Sequence, residues 1–280
     1  MSEPSQSIPS PGGMLQRGLF IVELLVAAHQ PMSLTQIAEK SGIDVSSALR
    51  ILRVLAKDFY VLREPGSKLY APGPRALFPL DLHHPLNVYR RSALPLMQSL
   101  AESSGMTVAM HLYMYGERVV VDVVQGPKPL TPFYDTHVRR PPHVSAAGKV
   151  FLLSLDRQLR AAALGPGPYQ RLTEKTICDA PTLEAELSEA ERLGYAKSIE
   201  EAYPWLSSVA APIRTRSSTI IGCFIVFGLS ESLKTEDIPT LGEKVQRAAE
   251  IFTYQCPALD AVERLVAWNS ARSERARGMT

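Results

Sequence analysis

Cysteine is scarce in this sequence. Among 280 residues there are three cysteines, Cys178, Cys223 and Cys256. They are odd in number, far apart and form no CxxC pair, which excludes a zinc ribbon and a disulfide framework. Long apolar runs are missing too. The most apolar window, TIIGCFIVFGL, falls short of the roughly 20 residues that span a bilayer. The N-terminus, MSEPSQSIPSPGG, has neither the basic start nor the apolar run of a signal peptide. No charge sign dominates: 30 Lys and Arg face 28 Asp and Glu, a net charge of +2, so the chain as a whole is not marked as a polyanion binder. There is no Walker motif, and no glycine-rich dinucleotide loop follows a strand. These absences predict a soluble cytoplasmic protein with a disordered leader over residues 1–13 and with no metal or cofactor.

Catalytic constellations are also lacking. His143, Ser145 and Asp135 have triad chemistry, but no G-x-S-x-G elbow presents a nucleophile. Ser145 is expected at a helix start, where capping accounts for it. His111, His137 and His143 lack metal-ligand spacing, and His83-His84 falls in a proline-rich linker. The sequence is therefore read as a non-enzyme.

What is present is a pattern of short helices. MLQRGLFIVELLVAA, from Met14, reads as a largely buried helix that Gln30-Pro31 breaks. Ser33-Leu-Thr-Gln36 is a capping box that starts a second helix, ended at Ser41-Gly42. Asp44 is an N-cap for a third helix running to about Phe59. YVLRE and KLYA then flank Pro65-Gly66 as a hairpin. On a helical wheel, Val45, Ala48, Leu49, Ile51, Leu52, Leu55, Ala56 and Phe59 share one broad arc. Ser46, Arg50, Arg53 and Lys57 lie opposite, and Ser47 and Val54 flank them. Between Met14 and Arg75 eight basic residues stand against five acidic ones.

Two helices joined by a short turn, followed by a hairpin, form a winged helix-turn-helix. The third helix is its reader, entering the major groove with its first residues nearest the base edges. Val45, Ser46 and Ser47 open that helix. Arg50 reaches a base edge or a phosphate, and Arg53 and Lys57 reach phosphates. Ser33, Thr35 and Gln36 present the amides of the second helix to the backbone, and Lys68 in the wing sits over it.

Beyond a linker and a helix at Asn87–Ser104, containing Pro95, strands and helices interleave. TVAMHLY and RVVVDVVQ form a hairpin around Tyr115-Gly116. LTPFY, YAKSIEE, SSVAAPIRT and TIIGCFIVFGL read as strands. VSAAGKVFLLSL, LEAELSEAERLG and EKVQRAAEIFTYQ read as helices. The fold class is α+β: a winged helix-turn-helix over 14–76, a linker and linker helix over 77–104, and an α/β domain with an antiparallel sheet over 105–257. A tail covers 258–280.

RGLFIVELLVAAHQPMSLTQIAEKSGIDVSSALRILRVLAKDFYV resembles the DNA-binding domain of IclR-type bacterial transcription regulators. SSGMTVAMHLYMYGERVVVDVV, RRPPHVSAAGKVFLLSL, LGYAKSIEEAYPWLSSVAAPI and IIGCFIVFGL follow that family's GAF-like effector domain in order. The resemblance spans roughly Met14 to Gln255. It implies a homodimer, or a tetramer as a dimer of dimers, on a palindromic double-stranded operator, with occupancy set by a small metabolite. It also implies an effector site lined by Phe133, His143, Ser145, Ala146, Ala147, Gly148, Ile199, Ser208, Cys223, Ile225 and Phe227. The amides of Ala146–Gly148 would meet an anionic group there.

Members that bind small keto acids carry an acid, a cysteine and two alternating serines where this sequence has Ile199, Ser208, and Ile225 with Phe227. Burying a carboxylate among such apolar residues is costly. A ligand with an apolar or aromatic body and at most one polar end is therefore expected, for a repressor of a catabolic operon. The competing readings are a ligand-binding enzyme and an interaction module with a non-functional helix-turn-helix.

Overall fold

The computed structural model describes residues 13–28, 30–64, 66–77, 83–114, 116–127 and 140–267. The chain divides between Leu82 and His83 into two compact units.

The first unit holds α1 (Met14–Ala27), α2 (Leu34–Ser41), α3 (Val45–Lys57), β1 (Val61–Arg63), β2 (Tyr70–Pro72) and the single turn α4 (Pro74–Leu77). Helix α2 starts on the expected capping box: the Ser33 hydroxyl accepts from the Gln36 amide, and the Gln36 side chain accepts from the Ser33 amide. It ends at Gly42, whose φ of 64° is the left-handed conformation that glycine adopts without a Cβ penalty. Two residues later Asp44 caps α3, accepting from the Ser47 amide at 2.9 Å. Such a cap is worth about 1 kcal/mol. The two helices thus meet through a turn of Gly42, Ile43 and Asp44. Strands β1 and β2 pair antiparallel, with Leu62 opposite Ala71. Met32 and Tyr70 exchange two backbone hydrogen bonds of 2.8 Å each, tying the approach to α2 onto the hairpin.

Ile21, Leu25, Ile37, Ile51, Leu52, Val61 and Tyr70 make the core of this unit. The buried arc of α3 is narrower than the wheel implies. Ala48, Ile51 and Leu52 are buried, but Val45 and Phe59, assigned to that arc, are 50% and 62% exposed. Val45 is the first helical residue, where no preceding turn covers it. Phe59 lies past the helix end at φ +60°, which turns its ring away from the core.

The second unit is built on a five-stranded antiparallel sheet of order β4-β3-β7-β6-β5. The strands are β3 (Thr107–Met114), β4 (Glu117–Val124), β5 (Ala196–Ile199), β6 (Leu206–Arg214) and β7 (Ile220–Leu229). Central β7 is buried over most of its length, hence its nearly unbroken apolar sequence. Helices α5 (Pro85–Ser104) and α9 (Ile238–Gln255) cover one face. Helix α6 (Ala146–Leu153) covers the other and is backed by α8 (Ala180–Leu193). A helix not anticipated from the sequence, α7 (Arg157–Leu164), has no buried residue and spans only eight residues, about two turns over which a period can be read.

The helix expected as a linker is α5, and its Tyr89, Ala93, Met97 and Leu100 belong to the core of the second unit. A last helical run covers residues 259–267. Its Leu259 and Val262 enter the same core, so that stretch is part of the unit rather than a tail. The strand expected at LTPFY lies outside the described residues, as does Tyr115 of the hairpin turn.

Candidate nucleic-acid interface and effector face

The outward side of α3 carries Ser46, Arg50, Arg53 and Lys57, all exposed, with Ser47 half-buried beside them. Spacing of four, three and four residues puts the cations along one line of the helix. None of the three forms an ion pair among the described residues. Their charge is therefore available to an external anion. The tip is organised by Asp44, which accepts from the Ser46 hydroxyl at 2.6 Å and from the Ser47 amide. These hydrogen bonds, the Ser46 hydroxyl foremost, hold its carboxyl well below the usual range. The Ser46 oxygen, having given its proton to Asp44, is left as an acceptor.

At the start of α2, Thr35 is exposed. The capping box uses the Ser33 and Gln36 amides, which leaves those of Leu34 and Thr35 as the helix-start donors without an intrahelical partner. Lys68 is exposed in the wing turn at φ 59°. The surface thus has the three parts that a groove reader needs: a reading helix, a helix start and a wing.

In the second unit the sheet face under α6 carries Ala109 and Tyr113 of β3, Ala196 of β5, Ala210 of β6, and Cys223, Ile225 and Phe227 of β7. Register places Ser208 opposite Phe227, and Ala210 opposite Ile225. Ser208, Cys223, Ile225 and Phe227 therefore share one face. Ile199 does not. It pairs with Ser207 and packs with the core on the α5/α9 side, so its assignment to the effector face is corrected. With a period of two, one residue of register decides the side.

Ala146 and Ala147 are buried in the apolar layer of that face. Ser145 caps α6 by accepting from the Gly148 amide at 3.1 Å. A Cβ on Gly148 would collide with the Pro142 carbonyl, so that glycine answers to a backbone contact. His143 is buried; its Nε2 is 2.9 Å from the Gln170 carbonyl, and its ring lies against Tyr169. Burial pushes its pKa down. His143 also lines an open cavity of about 430 Å³ with Arg118, Arg140, Pro142, Phe151 and Gln170. Ser208, Cys223, Ile225 and Phe227 lie elsewhere, under α6. Phe133 lies outside the described residues.

Two groups escaped the sequence reading. Lys149 of α6 is fully buried. Its Nζ donates to Glu201 at 2.7 Å, to the Lys197 carbonyl at 2.9 Å and to Glu186 at 3.3 Å, which pins α6 to β5 and α8. Burial raises the pKa of Glu201, and Lys149 opposes the rise. His111 of β3, likewise buried, is the second group. Both are polar residues inside apolar runs, which sequence patterning reads as interruptions.

Comparison with known proteins agrees with this architecture. Residues 14–65 match the IclR helix-turn-helix domain, and residues 84–253 match the bacterial transcriptional regulator IclR C-terminal domain. The glycerol operon regulatory protein of Streptomyces coelicolor is 28% identical over 222 residues, 79% of this chain and 87% of that protein. The HTH-type transcriptional repressor AllR of Escherichia coli is 26% identical over 240 residues, 84% and 87% of the two chains. The Thermotoga maritima IclR structure superposes with a TM-score of 0.68 at 23% identity, covering 86% of this chain and 98% of that one. An IclR homolog from Microbacterium hydrocarbonoxydans, complexed with 4-hydroxybenzoate, superposes with a TM-score of 0.71 at 18% identity, covering 89% and 100%. The chain belongs to the IclR family of transcriptional regulators: it is a DNA-binding regulator with an effector domain, and not an enzyme.

Proposed function

We propose that the protein is a repressor of a catabolic operon that leaves its operator on binding a small metabolite with a largely apolar or aromatic body. The observation that carries the effector class is the alternation of Cys223, Ile225 and Phe227 on the buried face of β7. β7 itself places no charged side chain there to compensate a buried carboxylate, and Arg118 of β4, opposite Tyr113, donates to the Arg140 carbonyl, which disfavours a small keto acid. Relatives that are named repressor and operon regulatory protein support the repressor sense. The 4-hydroxybenzoate held by one structural relative makes aromatic acids sensible probes.

The operator is read as a palindrome by a homodimer or a dimer of dimers. Support comes from α1, where Leu15, Leu19 and Val26 are 77%, 58% and 44% exposed. Spaced by four and then seven residues, they form one apolar stripe suited to a second copy. The effector site draws on Ser145–Gly148, Ser208, Cys223, Ile225 and Phe227, and the DNA contacts are those assigned above. As an operon regulator, the protein acts in the cytoplasm.

Two measurements test the reading. In a mobility-shift assay, DNA from upstream of the protein's own gene is retarded in preference to random DNA. Calorimetric titration of the full chain gives binding of benzoate but not of glyoxylate, and benzoate weakens the shift. Tight binding of glyoxylate with none of benzoate overturns the effector class. Equal retardation of both DNAs overturns operator recognition.

A further inference from the structure

The pairing of β3 with β4 shifts register between Met110 and His111. The extra residue is Val121 of β4, and bulges of this kind are common beside binding sites. His111 of β3 lies on the face covered by α6, two residues on from Ala109 and directly opposite Cys223. His111 is 6% exposed, and its Nδ1 is buried without any hydrogen-bond partner. Buried polar atoms are nearly always paired, because an unpaired one costs stability that an apolar residue of similar size would not.

The neighbours do not supply the missing bond. The Tyr113 hydroxyl donates to the Ala147 carbonyl at 3.1 Å. Burial holds the Cys223 thiol neutral, pushed up to about 12. Ala109 and Val120 offer no polar side chain. Burial, with help from Arg118, pushes the imidazole down to about 3. His111 is therefore a neutral ring at physiological pH. It has one N–H and one lone pair, a match for a hydroxyl rather than for a carboxylate.

We propose that Nδ1 of His111 is the polar anchor of the effector face, selecting a ligand with one hydroxyl on an apolar or aromatic body. This rests on the effector reading above and adds the chemistry of the ligand's polar end. A site built to bond a hydroxyl rejects the analogue that lacks it, since the buried nitrogen is then left unpaired.

The test titrates full-length wild-type protein, His111→Leu and His111→Asn with p-cresol and with toluene. Asparagine sets a polar atom near the place of Nδ1. Wild type binds p-cresol at least tenfold more tightly than toluene, the leucine variant binds both equally, and the asparagine variant keeps part of the preference. The leucine variant also unfolds at no lower temperature than wild type. A wild type without preference, a preference that survives in the leucine variant, or a lower melting temperature for that variant each overturns the proposal. If wild type binds benzoate but does not distinguish p-cresol from toluene, the anchor fails and the apolar effector class stands. If it binds none of the three, both fail.

Discussion

Helices α3 and α6 begin alike and are used in opposite ways. Each starts on a capping side chain, Asp44 or Ser145, that accepts from the amide three residues on. Helix α3 then buries three of thirteen residues and turns its cations outward. Helix α6 buries seven of eight, a lysine included. In the first unit polar groups are exposed and await a polyanion. In the second they are inside, and each must find a partner within the fold or in a ligand. Substitutions should therefore act on binding in α3 and on stability in the second unit.

The largest expected effect is at Lys149. Lys149→Met leaves Glu201 buried without its cation, and breaking such a pair costs about 3–5 kcal/mol. Chemical denaturation would read this as a lower midpoint. An unchanged midpoint would mean that α6 is held by its apolar layer alone, and the contrast with α3 would weaken.

Next is Arg50. If it meets a base edge, Arg50→Ala weakens specific DNA binding by about 1–3 kcal/mol and leaves thermal stability alone, because the side chain is exposed. Equal loss on specific and random DNA would reassign Arg50 to phosphate contact.

His111 sharpens the contrast through pH. The unfolded chain takes a proton on this imidazole near its ordinary pKa of 6.5, whereas the folded protein resists until about 3. The unfolded state thus binds more protons in that window, and stability falls as pH falls through it. One such group costs about 1.4 kcal/mol per pH unit. Denaturation of wild type and His111→Leu between pH 6 and 4 should show a shallower slope for the variant. Identical slopes would mean that His111 is protonated in the fold.

Two smaller effects concern the C-terminal end of the reading helix. Phe59 is held at φ +60° with its ring largely exposed, a conformation that costs a non-glycine residue about 1 kcal/mol or more. Phe59→Gly should raise the melting temperature of the first unit's transition, and a drop would show that the ring has a packing role. Lys57→Ala should lower affinity for all DNA alike and reduce the slope of log affinity against log salt by about 0.9, one phosphate contact. An unchanged slope would remove Lys57 from the interface.

Much of the first unit was legible because its signals are local. Ser33 with Gln36, Gly42 and Asp44 are caps and a turn, and the spacing of Arg50, Arg53 and Lys57 fixes a face whatever packs behind it. The exposure of Val45 and Phe59 was not legible. A wheel treats the helix as endless, and both residues sit at its ends. In the second unit the strands could be read from apolar runs, but not which residues share a face. Ile199 was assigned beside Ser208, and its pairing with Ser207 puts it on the other side.

By itself the sequence determined the reading helix, its cationic surface, the wing and the order of most strands and helices after it, α7 excepted, since hydrophobic period, capping residues and turn residues act over a few positions. Tertiary structure alone decided that Lys149 meets Glu201 across 52 positions of chain, that His111 is buried opposite Cys223, and that Ile199 lies on the other side of the sheet from Ser208. Those outcomes depend on strand register and on desolvation. Both are properties of distant segments brought together, and no local pattern encodes them.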